Sequence, residues 1–125
     1  MLAGGRFGTN NLARAREFYD PIAALVGAVA ILDYPNLVAY KSPTGGAFII
    51  GEPFAGAAQP GNGNQLSLEA ESRAAVDAVH AKAMELGGSD EGSPGIRGSN
   101  PDGFYGAYFR DPEGNKWVIY RMGPA

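Results

Sequence analysis

With 125 residues, 45% of them hydrophobic and 18% charged, the chain can bury the core of one compact unit and is too apolar for global disorder. The formal net charge is −3 and nothing in the sequence resembles a basic phosphate-binding stripe, so nucleic acid is not an expected partner, and the absence of cysteine excludes disulfides, thiolate metal sites and cysteine nucleophiles. No apolar run reaches membrane-spanning length and no signal-type segment opens the chain, so the expectation is a cytoplasmic protein without membrane contact.

A strand is expected over 3–8, followed by a helix that either Asn10 or Asn11 could cap. Leu12, Ala15, Tyr19, Ile22 and Val26 recur at spacings of three and four and give that helix one apolar face. Pro21 should bend or split it, and Gly27 should end it. Strands are expected over 28–34, 37–42 and 46–51. A glycine-, proline- and alanine-rich linker then covers about 53–63. A strand over 64–69 leads to a second helix capped by Ser72, with Val76, Val79, Ala83 and Leu86 as its buried stripe and Gly87-Gly88 as its stop. A short strand near 89–92, a long loop over Gly92–Gly103, and strands over 104–110 and 116–122 complete the reading.

The chain also repeats itself. Tyr40-Lys41-Ser42-Pro43-Thr44-Gly45-Gly46-Ala47-Phe48-Ile49-Ile50 matches Phe109-Arg110-Asp111-Pro112-Glu113-Gly114-Asn115-Lys116-Trp117-Val118-Ile119 in order: aromatic, cation, turn, proline, glycine, apolar strand. The helix starts at Asn11 and Ser72 repeat in the same way. The expected fold is therefore α+β, a single domain over 1–125 made of two βαβββ modules, about 1–52 and 64–125, whose strands form a mixed, cup-shaped sheet.

The stretch Asn11-Leu12-Ala13-Arg14-Ala15-Arg16-Glu17-Phe18-Tyr19, the segment from Pro60 to Leu68 leading into Ser72, and the turn Asp111-Pro112-Glu113-Gly114-Asn115 together resemble the vicinal-oxygen-chelate superfamily of glyoxalases, bleomycin-resistance proteins and extradiol dioxygenases. Metal-using members hold a divalent ion on His and Glu from the first and last strands of each module, which leaves positions open for two vicinal substrate oxygens. The resemblance maps those four positions onto Gly4, Gln65, Ile49 and Val118. Gly4 stands to Gln65 as Asn11 stands to Ser72, and Ile49 to Val118 as Pro43 to Pro112. Three of these residues have no donor atom and the fourth offers one neutral amide oxygen, so no metal centre of this kind and no cofactor are expected. His80, the single histidine, sits on the second helix beside Val76 and Ala83 and reads as structural. No Ser-His-Asp arrangement and no phosphate-cradling loop is available.

If the four positions face a cup, period-two alternation puts Arg6, Ser67, Glu69 and Tyr120 on the same side as Gln65. Tyr108 joins them if the last hairpin pairs it with Val118. Phe7, Phe48, Leu66, Leu68, Trp117 and Ile119 then face the helices as core. Arg97 in the long loop is a further candidate anion contact. A structural alternative is that Arg6 and Glu69 simply pair with each other. The leading functional expectation is a metal-free small-molecule-binding protein of this superfamily. The alternatives are a lactoylglutathione-lyase- or dioxygenase-like enzyme with other site residues, and a domain kept for partnering. The resemblance also implies a homodimer.

Overall fold

The computed structural model describes all residues from Met1 to Ala125. In chain order the elements are β1 (Gly4–Gly8), α1 (Leu12–Leu25), β2 (Val29–Tyr34), β3 (Leu37–Lys41), β4 (Ala47–Gly51), β5 (Leu66–Glu69), α2 (Arg73–Glu85), β6 (Ser89–Arg97), β7 (Phe104–Arg110) and β8 (Lys116–Met122). The eight strands form two open four-stranded mixed sheets, ordered β1-β4-β3-β2 and β5-β8-β7-β6. The repeat read in the sequence is therefore a repeat of topology. In each half the first strand lies parallel to the last, and the rest are antiparallel.

The helix ends follow from local chemistry. The Asn11 side chain accepts from the Arg14 N–H at 3.1 Å and Ser72 Oγ accepts from the Ala75 N–H at 3.1 Å. Asn11, not Asn10, is thus the cap. Asn10 instead ties down the linker, its amide bonding the Ala58 carbonyl and N–H at 3.0 and 2.7 Å. At the other ends Gly27 and Gly87 take φ of 72° and 95°. That conformation lets Ala28 and Gly88 reach back to the carbonyls of Ala23 and Ala83, both at 2.8 Å, closing each helix in the same way.

Two expectations are corrected. Helix α1 is not split at Pro21 but runs unbroken through it. Phe18, Tyr19, Ile22 and Ala23 are all buried around that point, and their burial outweighs the one backbone bond that proline removes. Strand β6 extends to Arg97, so the connection before β7 shrinks to residues 98–103. The register shifts between Asp90 and Gly92 and between Gly92 and Gly95, and β6 is an edge strand, where bulges and Pro94 cost few ladder bonds.

One hydrophobic cluster joins the halves. Phe7, Phe48, Trp117 and Ile119 lie in it and Leu66 and Leu68 pack against it, as alternation required. Phe7 and Phe48, from the first sheet, meet Trp117, from the second, at ring separations of 5.3 and 5.0 Å. Polar bonds complete the join. Tyr19 donates its hydroxyl proton to Asp111 and accepts from Trp117 Nε1 at 3.0 Å, while Asn115 Nδ2 donates to the Gly8 carbonyl at 3.1 Å. Glu113 accepts from the Thr9 hydroxyl and from the Asn10 N–H at 2.9 Å.

Burial, and then the neighbouring Asp111 carboxylate, push the Tyr19 hydroxyl pKa well above its ordinary value; burial and then Asp20 do the same to Tyr40. In the unfolded chain both phenols ionise near pH 10, while in the folded chain they stay protonated. Their contribution is complete below about pH 10 and is lost as pH rises beyond it. Urea midpoints measured from pH 8 to 11.5 should fall above pH 10, and more shallowly in Tyr19→Phe. A midpoint independent of pH over that span contradicts the assignment.

Candidate functional site

The four positions that the sequence aligned with metal ligands do not assemble a donor set. A side chain at Gly4 would begin 2.5 Å from the Ala47 carbonyl oxygen, so the backbone approach there leaves no room for a ligand. Ile49 and Val118 carry alkyl groups, Val118 being buried, and Gln65 precedes β5 with a lone amide. No cluster of three or more His, Cys, Asp or Glu side chains is placed to hold an ion anywhere in the chain. The residues present do not fit a divalent metal, whose site needs several anionic or imidazole donors.

The sequence-predicted site residues divide between three places. Gln65, Ser67 and Glu69 line a cleft of about 660 Å³ between β5 and the first sheet, bounded by the N-terminal segment, β1 and the 42–46 turn. Leu66, Phe48, Tyr40 and Trp117 reach it from the core and Arg121 stands at its rim, so it joins aromatic and alkyl surface to a few polar groups. Arg6, Arg97, Tyr108 and Tyr120 do not line it. Arg6 lies on the first sheet, where its Nη2 donates to the Glu52 carbonyl at 2.9 Å, and it makes no ion pair with Glu69.

Arg97, Tyr108 and Tyr120 share the face of the second sheet turned away from the helices. Tyr108 pairs with Val118 and Val118 with Ser67, the register that places them together. The Arg97 guanidinium and Lys116 Nζ each lie 5.6 Å from the centre of the Tyr108 ring. Phe104 stacks on Tyr120 with ring centres 5.2 Å apart and planes 11° from parallel. Lys116 was not among the predicted residues, although stepping back two from Val118 along β8 puts it on this face. Tyr40 and Arg121 were also missed, because alternation assigns them to the helix side and only the gap between the sheets brings them to the wall of the cleft.

His80 is 8% exposed and its Nε2 lies 2.9 Å from Asp90 Oδ1, a structural contact between α2 and β6. The Asp90 carboxylate is held below its usual range by the Gly92 N–H first and by His80 second. It thereby fixes the bulge from which β6 runs to Arg97.

A family model described as the glyoxalase/bleomycin resistance protein/dioxygenase superfamily matches residues 6–119. A crystal structure of a glyoxalase/bleomycin resistance protein from Albidiferax ferrireducens T118 superposes with a TM-score of 0.87 at 34% identity, covering 98% of both chains. A glyoxalase-related enzyme from Fulvimarina pelagi superposes at 0.71 with 19% identity, over 97% of this chain and 87% of that one. A family enzyme from Burkholderia phytofirmans PsJN gives 0.71 with 16% identity, over 96% and 97%. These last two show likeness of fold alone. No curated protein matches the chain. With the duplicated topology, the helix caps and the Asp111–Asn115 turn in place, the match over nearly the full length makes this chain a member of the glyoxalase/bleomycin resistance protein/dioxygenase superfamily.

Proposed function

We propose that the chain, acting as one domain, binds a small organic molecule without a metal ion and that its cleft beside β5 is the binding site. The observation that carries this reading is the residue set at the four ligand positions, Gly4, Ile49, Gln65 and Val118, set beside a cleft that keeps aromatic walls and polar groups. Of the four ligand positions only Gly4 and Gln65 line the cleft and neither is an anionic or imidazole donor, which favours apolar burial and neutral hydrogen bonding there over Lewis-acid chemistry. Gln65 and Ser67 offer neutral hydrogen bonds that would orient the ligand, and Glu69 offers an acceptor. The same superfamily membership supports a homodimer. The exposed apolar side chains Val29, Ile31, Leu32 and Tyr34 along edge strand β2 supply surface for it.

Tag-free protein decides the matter. Elemental analysis should show no stoichiometric metal, Ni²⁺, Zn²⁺, Mn²⁺ and Fe²⁺ should leave the melting temperature unchanged, and light scattering should give twice the chain mass. One bound equivalent of a stabilising ion would return a metal-dependent lyase or dioxygenase to first place, and a monomer would remove the dimer.

A further inference from the structure

The repeat gives the modules two equivalent seams, and only one of them is filled. The Thr9 N–H bonds the Gly51 carbonyl at 3.0 Å and the Ala70 N–H bonds the Tyr120 carbonyl at 2.8 Å, so Gly8, Thr9 and Asn10 hold in the first half the places of Glu69, Ala70 and Glu71 in the second. Against Gly8, Thr9 and Asn10 lies the turn of the other module. Glu113 takes the Thr9 hydroxyl and the Asn10 N–H, and Asn115 Nδ2 reaches the Gly8 carbonyl. At the other seam the counterpart turn offers Thr44 in place of Glu113 and Gly46 in place of Asn115, and it faces Ala70 in place of Thr9. Carboxylate, amide and hydroxyl are all gone, and a Cβ at Gly46 would meet nothing within 4 Å. That seam stays open as the cleft beside β5, with the turn on one wall and residues 69–71 on another.

The charges in the cleft are unspent. Glu69, Glu71 and Arg121 are the charged side chains that line it. The ion pairs of the chain are Arg16 with Asp20 and Asp33, His80 with Asp90, Lys82 with Glu85, and Arg110 with Glu91. The three cleft residues enter none of these, and Arg121 does not reach either glutamate across the space between them. Opposite charges that line one cavity without touching leave room for a ligand that carries both signs. Leu66, Phe48 and Trp117 add alkyl and aromatic surface to the same cavity. A ligand that displaces water from it strengthens every charge contact it makes there.

We infer that the cleft holds a zwitterionic α-amino acid with a large apolar side chain: Arg121 takes the carboxylate, Glu69 and Glu71 take the ammonium, and Leu66, Phe48 and Trp117 take the side chain. The inference rests on the reading of this cleft as the binding site and names the class of molecule it takes. A simple carboxylate would leave both glutamates without a partner and a simple amine would leave the arginine without one, so neither satisfies the lining. The zwitterion satisfies both with charge-assisted hydrogen bonds. It also brings from outside the two kinds of group, carboxylate oxygen and N–H donor, that Glu113 and Asn115 supply from within at the filled seam.

The test is a titration of ¹⁵N-labelled protein with L-phenylalanine, set beside phenethylamine, which lacks the carboxylate, 3-phenylpropionate, which lacks the ammonium, and 2-phenylethanol, which lacks both. L-Phenylalanine should shift backbone signals of β5 and of the 42–46 turn. Each analogue should bind at least tenfold more weakly, and so should glycine, which keeps the charges without the apolar body. Arg121→Gln should weaken L-phenylalanine by about tenfold, the scale of one charge-assisted hydrogen bond, and leave phenethylamine unchanged. Glu69→Gln combined with Glu71→Gln should weaken L-phenylalanine and phenethylamine but not 3-phenylpropionate. These selective losses separate a lost contact from a loosened fold, which would weaken every probe alike. Any analogue binding as tightly as L-phenylalanine, or full L-phenylalanine affinity in Arg121→Gln, would overturn the amino-acid assignment while shifts at β5 keep the cleft as a binding site. Shifts elsewhere, or none with any probe, would overturn both.

Discussion

Replacing Asp111 by alanine is expected to lower the unfolding free energy by about 3–5 kcal/mol, the range for removing one partner of a buried charged network. The carboxylate is 5% exposed and accepts from the Tyr19 hydroxyl, from the N–H groups of Glu113 and Asn115 at 3.0 and 2.8 Å, and from Asn115 Nδ2 at 2.8 Å. Alanine leaves these donors facing apolar surroundings, and each bond to an ionised acceptor is worth about 1.5–3 kcal/mol, not additively. Asp111→Asn keeps one acceptor oxygen but turns an amide donor toward another donor, so it should fall between alanine and the parent. Ser42 is the internal control, since it holds the equivalent place in the first module. Its hydroxyl bonds only Thr44, one turn residue away in an exposed loop, so Ser42→Ala should change stability by less than about 0.5 kcal/mol. Urea denaturation of the three variants decides the point, and a loss below about 1 kcal/mol for Asp111→Ala would mean that the turn does not hold the modules together.

That contrast shows where reading the sequence succeeds and where it stops. Asp111-Pro112-Glu113-Gly114-Asn115 and Ser42-Pro43-Thr44-Gly45-Gly46 look alike because both satisfy the same turn chemistry, and turn chemistry is local. The distinction lies in partners roughly a hundred positions away, namely Gly8, Thr9, Asn10 and Tyr19, which no spacing rule connects to the turn. The helix caps at Asn11 and Ser72 and the closures at Gly27 and Gly87 were legible because they depend on one or two neighbouring residues. The end of β6 was not, because its bulges at Gly92 and Gly95 break the period-two pattern and leave a glycine- and proline-rich stretch that reads as loop. The site was legible in the same partial way. Alternation along each strand put Ser67, Glu69, Tyr108 and Tyr120 on one face of the second sheet, and the strand register does the same. How the two sheets meet decides that Glu69 lines a cleft while Tyr108 lies beside Arg97, and that meeting is set by aromatic packing between strands distant in sequence.

Trp117→Ala is expected to cost about 3–5 kcal/mol, the range for emptying a large aromatic site, because Trp117 is where that meeting happens. The side chain is 1% exposed, meets Phe7 and Phe48 edge-on with interplanar angles of 83° and 73°, and lies 5.9 Å from the Tyr19 ring. It therefore touches both sheets and α1 at once. Alanine removes the shared surface and the Nε1 donor together, and Trp117→Phe separates the two. Phenylalanine keeps most of the ring contact but leaves the Tyr19 oxygen without its donor and leaves a smaller void, which should cost about 1–3 kcal/mol. If the hydrogen bond contributes, Trp117→Phe combined with Tyr19→Phe should lose less than the sum of the single losses. Strict additivity would show that packing alone accounts for the effect. Since Trp117 is the single tryptophan and also borders the cleft, its fluorescence reports both events in the parent protein. Unfolding should shift the emission to the red, and a ligand seated beside β5 should perturb it without unfolding.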